Sequence, residues 1–206
     1  WDYSPSTECY SHLYDDTAVK SKDIRAKAVF GADNSRIIKF PNGSTGQFVT
    51  NEQPSQTPIV VTRVAEMYLI KAEAQAMTND VNGGVSTLNS FVNTYRDPSY
   101  KCTATTSEAV QEAVWHQRRI EFWGEGIAFP TAKRLKPGVI QNYEGTNYIE
   151  DIFKINCEGV KPNWALVIPK DEVDSNIALQ GKNNPDPSGS IPTRPTPIGT
   201  YAPGNN

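Results

Sequence analysis

Residues 116–126 read HQRRIEFWGEG and gather the side chains of this chain best suited to chemistry. Glu121 and Glu125 stand one helical turn apart. A carboxylate pair is what glycoside hydrolases use to protonate a leaving group and to activate water or trap a covalent intermediate. That chemistry needs the two groups to flank a sugar in a cleft, roughly 5 to 9.5 Å apart. Here Arg118, Glu121 and Glu125 recur at spacings of three and four, so they share one helix face. Two glutamates with an arginine on the same face make an ion-paired surface or a helix–helix contact more simply than a catalytic dyad. Arg119 lies four residues before Trp123, a spacing that suits a cation–π contact. Gly124-Glu125-Gly126 marks the helix end, where a glycine commonly takes the left-handed conformation.

Other chemistries find less support. His12 and His116 are the only histidines, far apart in sequence, and Cys9, Cys102 and Cys157 are isolated. Three cysteines allow at most one internal disulfide, whose pairing stays open, and leave one thiol over. Zinc sites usually show local ligand pairs, and none is present, so neither a metal nor another cofactor is expected. GxSxG, P-loop, GxGxxG and HExxH patterns are absent. The residues therefore point away from an enzyme. A formal charge of −3 and a pI near 5.5 argue against a nucleic-acid partner, whose binding surface needs clustered Lys and Arg. A mean hydropathy of −0.53 and no apolar run of about 18 residues argue against a membrane span. The chain opens at Trp1 without a basic or apolar leader, as expected if a targeting segment were removed or the chain were a fragment.

The elements that must position these residues are mainly helical. Residues 1–61 are rich in Pro, Gly, Asn, Ser and Thr and read as loops with short extended pieces such as RIIKF and PIVVT. From Thr62 the period changes: Ala65, Leu69, Ala72 and Ala76 line one helix face, small enough for a close neighbour. NDVNGG reads as a turn. Val85, Leu88, Val92 and Tyr95 then give a second stripe, so 62–95 forms an antiparallel hairpin of 34 residues, the length of a tetratricopeptide repeat. A third helix spans 105–126, opened by a capping box of Thr105 and Glu108, with Ala109, Ala113, His116, Ile120 and Trp123 on its inner face. His116 there reads as a core residue. A short helix follows near 129–135 and is stopped by KPG. Residues 137–168 mix turns with short apolar runs. Residues 185–206 form a Pro/Gly-rich tail too polar for a core. The expected architecture is mainly α, with long irregular loops and few short strands, as one domain over 1–184.

Taken in order, several of these stretches resemble the C-terminal portion of the SusD/RagB family. They are Asp23-x-Arg25, RVAEMYLIKAEA at 63–74, RRIEFWGEG at 118–126, KRL at 133–135, and NWALVIPKDEVDSN at 163–176. Together they cover most of residues 15–184. The family pattern departs at Ala128 and Thr131, where Arg and Asp are usual, and Pro130 should disturb the short helix. The resemblance implies a non-catalytic, cell-surface glycan-binding lipoprotein of the outer membrane, with a TonB-dependent transporter as partner. Membrane attachment would come only through a lipid anchor that this chain does not contain. The alternative is a helical-repeat protein–protein interaction module without sugar binding. In the family reading Arg63, Glu66, Arg118, Arg119, Glu121, Glu125, Trp164 and Pro169 are structural, locking the third helix onto the hairpin and packing the later segment.

A sugar site needs aromatic faces against the apolar faces of pyranose rings, with Asp, Asn or Arg for the hydroxyls. Trp1, Asp2, Tyr3, Tyr10, Tyr14 and Asp15 have that composition, and Tyr143 and Tyr148 in QNYEGTNY form a second candidate. The resemblance implies ligand contacts from variable loops, some just before Asp23-x-Arg25, where the first group falls. The expected ligand is an oligosaccharide or polysaccharide.

Overall fold

The computed structural model describes residues 22–29, 61–136, 139–140, 156–157 and 166–184. The chain divides into two compact units, one holding the described residues up to Gly126 and the other those from Ile127 onward. The described part is mainly helical.

The first unit contains α1 (Ile24–Val29), α2 (Val64–Met77), α3 (Val81–Tyr95) and α4 (Ser107–Glu121). Helix α2 buries the expected face: Ala65, Leu69, Ala72 and Ala76 are each 7% exposed or less. Its small side chains let α3 approach closely. A Cβ on Gly84 of α3 would sit 2.7 Å from the Ala72 carbonyl oxygen and 3.1 Å from the Ala76 Cβ, so glycine is required there by contact. This corrects the reading of NDVNGG as a turn. The helix begins at Val81, capped by Asp80, whose carboxylate accepts the Gly83 N–H at 2.9 Å, and both glycines lie within its first turns. Consequently α3 buries Gly84, Leu88, Phe91 and Val92, while Val85 is half-buried and Tyr95 is 48% exposed.

Helix α4 starts one residue later than the capping-box reading placed it. Thr106, not Thr105, is the cap, with its hydroxyl accepting the Ala109 N–H at 3.2 Å. The helix ends at Glu121 instead of 126, and Gly124 and Gly126 follow with φ of 75° and 78°, the left-handed region that glycine tolerates. Its buried residues are Val110, Val114, Gln117, Arg118, Ile120 and Glu121. Of the face expected from sequence only Ile120 is buried; Ala109, Ala113, His116 and Trp123 are half-buried. The Ser107 hydroxyl donates to the Ala76 carbonyl at 2.7 Å, tying the α4 entrance to the end of α2. Beyond α3, Asn89 holds the 97–102 connection: its amide nitrogen donates to the Cys102 carbonyl at 3.3 Å and its oxygen accepts the Cys102 N–H at 2.7 Å.

The second unit contains α5 (Ala128–Leu135), β1 (Val139–Ile140), β2 (Asn156–Cys157), α6 (Lys170–Ser175) and a 3-10 turn at Ile177–Leu179. The strands pair antiparallel, Val139 opposite Cys157 and Ile140 opposite Asn156. Pro130 does not disrupt α5, because it occupies the third helical position, where the missing N–H had no intrahelical acceptor to lose. The helix closes on Lys136 in the left-handed conformation, ahead of Pro137-Gly138. Pro169, expected to pack, is exposed and instead sets the N-cap of α6. Asn183 clamps the segment before it, accepting the Ile168 N–H at 2.8 Å and donating to the Ile168 carbonyl at 3.0 Å. Of PIVVT, Val61 and Thr62 are described and carry no regular structure. RIIKF, Trp164 and the 185–206 tail lie outside the described residues.

Candidate functional site

The polar face of α4 points at the hairpin, and Glu121 is its centre. Its side chain is 2% exposed. Oε1 accepts from Arg63 Nη1 and Arg96 Nη2, each at 2.7 Å. Oε2 accepts from Arg96 Nε at 2.7 Å and from Arg25 Nη1 at 3.4 Å. The Glu121 backbone carbonyl takes a further bond from Arg63 Nη2 at 2.7 Å. Glu125 meets the same arginine side-on, through Arg63 Nε at 3.0 Å and Nη2 at 2.8 Å, the fork geometry that suits guanidinium to carboxylate.

Arginines from three separate elements reach this carboxylate. Arg25 opens α1 and is held by Asp23, which accepts Arg25 Nη2 at 2.7 Å and the Arg25 backbone N–H at 2.8 Å. Arg25 Nη2 also donates to Gln117 on α4 at 2.7 Å. Arg63 is the N-cap residue of α2, and Arg96 immediately follows α3. Arg118, which the sequence placed on one face with Glu121 and Glu125, reaches across to Glu66 of α2 at 3.0 Å. Two guanidinium groups lie over the Phe122 ring, Arg63 at 4.8 Å and Arg118 at 5.6 Å from its centroid. Arg119 lies over Trp115 at 5.5 Å. The contact sequence spacing had suggested was with Trp123, but the helix ends at Glu121, so the i+4 register does not extend that far.

Electrostatics follow from this packing. Burial pushes the Glu121 carboxyl up, but Arg96, then Arg25 and Arg63, outweigh it and hold the group down at about 2. For Arg63 burial acts to lower the pKa, and the bonds to Glu125 and Glu121 more than offset it, so its charge is reinforced. A carboxylate held this way stays ionised at neutral pH and has no proton to give.

A second feature that sequence reading missed is aromatic. Tyr68 of α2 stacks on Phe91 of α3 with centroids 5.2 Å apart, and Tyr95 lies 6.1 Å from Tyr68. The hydroxyl contact with Tyr68 raises the Tyr95 pKa. The signal was available in the spacing Phe91–Tyr95, which puts the two rings on one helix face.

The sequence-derived ligand candidates Trp1, Asp2, Tyr3, Tyr10, Tyr14, Asp15, Tyr143 and Tyr148 lie outside the described residues. Among the described residues there is no group of three or more His, Cys, Asp or Glu placed to hold a metal, and no helix is long and apolar enough to cross a membrane.

The model of the SusD family matches residues 22–185, a span that takes in every described element and the whole arginine–carboxylate cluster. The chain belongs to the SusD family. A solved SusD-like carbohydrate binding protein from Bacteroides vulgatus is 25% identical to it, with a TM-score of 0.60. That match covers 87% of this chain and 41% of the relative, so the chain spans well under half of that protein's length. No curated protein matches the chain. Within the SusD family match, Tyr143 and Tyr148 fall inside the span, whereas Trp1 to Asp15 precede it.

Proposed function

We propose that this chain is the scaffold-forming part of a non-catalytic glycan-binding protein that captures oligosaccharide at the outer-membrane surface for a TonB-dependent transporter. The observation that carries the reading is the match to a carbohydrate binding protein along 87% of this chain, inside a family span of 22–185. The non-catalytic part is supported by the cluster itself. Glu121 and Glu125, the carboxylates weighed for glycosidase chemistry, are each engaged by arginine. General acid catalysis needs a carboxyl that holds its proton near working pH, and Glu121 sits at about 2. In this reading Arg25, Arg63, Arg96, Arg118, Glu66, Glu121 and Glu125 lock α4 onto the α2–α3 hairpin. Sugar contacts fall to loop aromatics, Trp1, Tyr3, Tyr10 and Tyr14 with Asp2 and Asp15 first, then Tyr143 and Tyr148. Attachment to the membrane would come through a lipid anchor.

The test is thermal melting of the chain against a panel of neutral oligosaccharides, with native-gel retardation by the matching polysaccharides. Ligand at a hundredfold excess over Kd adds about 2.7 kcal/mol, roughly 5 to 10 °C for a chain of this size. A shift abolished by Trp1→Ala with Tyr3→Ala supports the first loop, and one abolished by Tyr143→Ala supports the second. No shift and no retardation across the panel would sink sugar binding and favour the protein–protein module. Release of reducing sugar from any member would overturn the non-catalytic assignment.

A further inference from the structure

A guanidinium is always charged and carries five N–H donors, so an arginine drawn out of water is normally met by acceptors. The first unit follows that rule at Arg25, Arg63, Arg96 and Arg118, each of which holds a carboxylate. Arg119 of α4 departs from it. Among the described residues no carboxylate or other acceptor meets its side chain, and its Nε is buried without a partner. The residue is half-buried, with its guanidinium 5.5 Å from the centroid of the Trp115 ring. Trp115 stands one helical turn earlier and is half-buried too. Ring and cation therefore share the helix face turned away from Val110, Val114 and Glu121. That face supplies no counter-charge of its own. Its nearest acidic residue, Glu112, lies seven residues before Arg119, about 10 Å along the axis, beyond a Debye length at physiological salt.

We infer that Trp115 and Arg119 form a subsite for an acidic sugar, a uronic acid unit within the glycan. This rests on the glycan-binding reading above and narrows its ligand. With Nε closed off, the guanidinium would take the carboxylate end-on through Nη1 and Nη2, in the fork that a planar carboxylate fits. The Trp115 ring holds the guanidinium plane in place, which lowers the ordering cost of binding. The same indole offers an apolar contact to the C–H groups of the sugar ring. Charge complementarity selects among glycans. A neutral sugar brings no anion, so desolvating the guanidinium goes uncompensated, whereas a uronate supplies the charge that the chain itself does not. A net charge of −3 gives no long-range attraction for a polyanion, so recognition is local and one carboxylate suffices.

Isothermal titration of the whole chain tests this, with oligosaccharides of galacturonate, of glucuronate and of mannuronate and guluronate. Their methyl esters keep the backbone and lose the charge, and neutral oligosaccharides run beside them. At least one uronate should bind, its methyl ester about tenfold more weakly or worse. Raising salt to about 0.5 M should weaken the uronate and leave the ester unmoved. Arg119→Gln should weaken uronate binding roughly tenfold to a hundredfold, with the melting temperature held within about 2 °C. Arg119→Lys, which keeps the charge without the fork, should recover only part of the loss. Binding of neutral oligosaccharides with no uronate bound overturns the inference and leaves the glycan reading standing. No binding of either kind overturns both. Uronate binding that survives both Arg119 variants puts the site elsewhere and overturns the inference. Arg119-dependent binding of glutamate-rich peptides with no uronate bound overturns it too, and assigns the pair to a polypeptide carboxylate.

Discussion

Replacing Glu121 by glutamine tests the arginine–carboxylate lock most directly, because the side chain keeps its shape while losing its charge, its capacity to titrate and one of the two oxygens that accept from the arginines. The magnitude comes from two directions. Removing one partner of a buried ion pair leaves the other charges uncompensated and typically costs about 3 to 5 kcal/mol. Linkage gives a comparable figure. The carboxyl lies at about 2 in the folded chain against an ordinary value of 4.5, and that difference is worth roughly 3 kcal/mol of stability at neutral pH. The folded value is depressed, so this stability is fully present above about pH 5 and is lost as the pH falls toward 2. Urea unfolding of both proteins at pH 7 and again at pH 3.5 checks both statements. At pH 7 the Glu121→Gln protein should be less stable by about 3 kcal/mol. At pH 3.5 the unfolded chain is mostly protonated at Glu121 while the folded chain is not, so the gap should narrow by about 1.4 kcal/mol. A deficit under about 1 kcal/mol at pH 7 would mean that the arginines are as well served by water as by Glu121. A gap that stays constant with pH would show that the carboxyl is not depressed, and the electrostatic account would fail.

Four further substitutions probe the packing around the lock. Gly84→Ala should destabilise by about 1 to 3 kcal/mol in urea, against its gain in helix propensity, because the new Cβ meets the backbone of Ala72. Thr106→Ala should cost about 1 kcal/mol and Thr105→Ala less than about 0.5, and the reverse order would move the α4 cap back to Thr105. Asn89→Ala removes both bonds to the Cys102 backbone, so amide hydrogen exchange at Cys102 should accelerate with a stability loss of about 1 to 2 kcal/mol.

The hairpin was legible because the inner face of α2 is apolar except for Glu73, and period counting finds such a face directly. The inner face of α4 was misread by about one residue for a physical reason. Counting apolar positions selects Ala109, Ala113, His116 and Ile120, yet the helix buries Gln117, Arg118 and Glu121 beside Val110 and Val114. Those polar side chains can be buried only because Arg25, Arg63, Arg96 and Glu66 arrive from elsewhere in the chain to pair them, and long-range partners leave no trace in local period. The same limit explains Arg118. Its spacing suggested Glu121 and Glu125 on its own helix, whereas its bond is to Glu66, 52 residues away. The Asp23-x-Arg25 stretch was visible only as part of a family pattern, and its role in orienting Arg25 toward Glu121 and Gln117 required coordinates.

The bonds at the cluster also constrain where a ligand could act. Among the described residues Arg25, Arg63 and Arg96 face Asp23, Glu121 and Glu125, three positive charges against three negative ones within one set of hydrogen bonds. Such a set projects little net field, and its forked bonds would have to be broken before any group in it could turn to an incoming molecule. A neutral sugar offers hydroxyls and apolar ring faces, neither of which recovers the cost of separating buried ions. Under the proposed function, recognition would therefore draw on side chains other than these, and the cluster would contribute by keeping α1, α2, α3 and α4 in fixed relation.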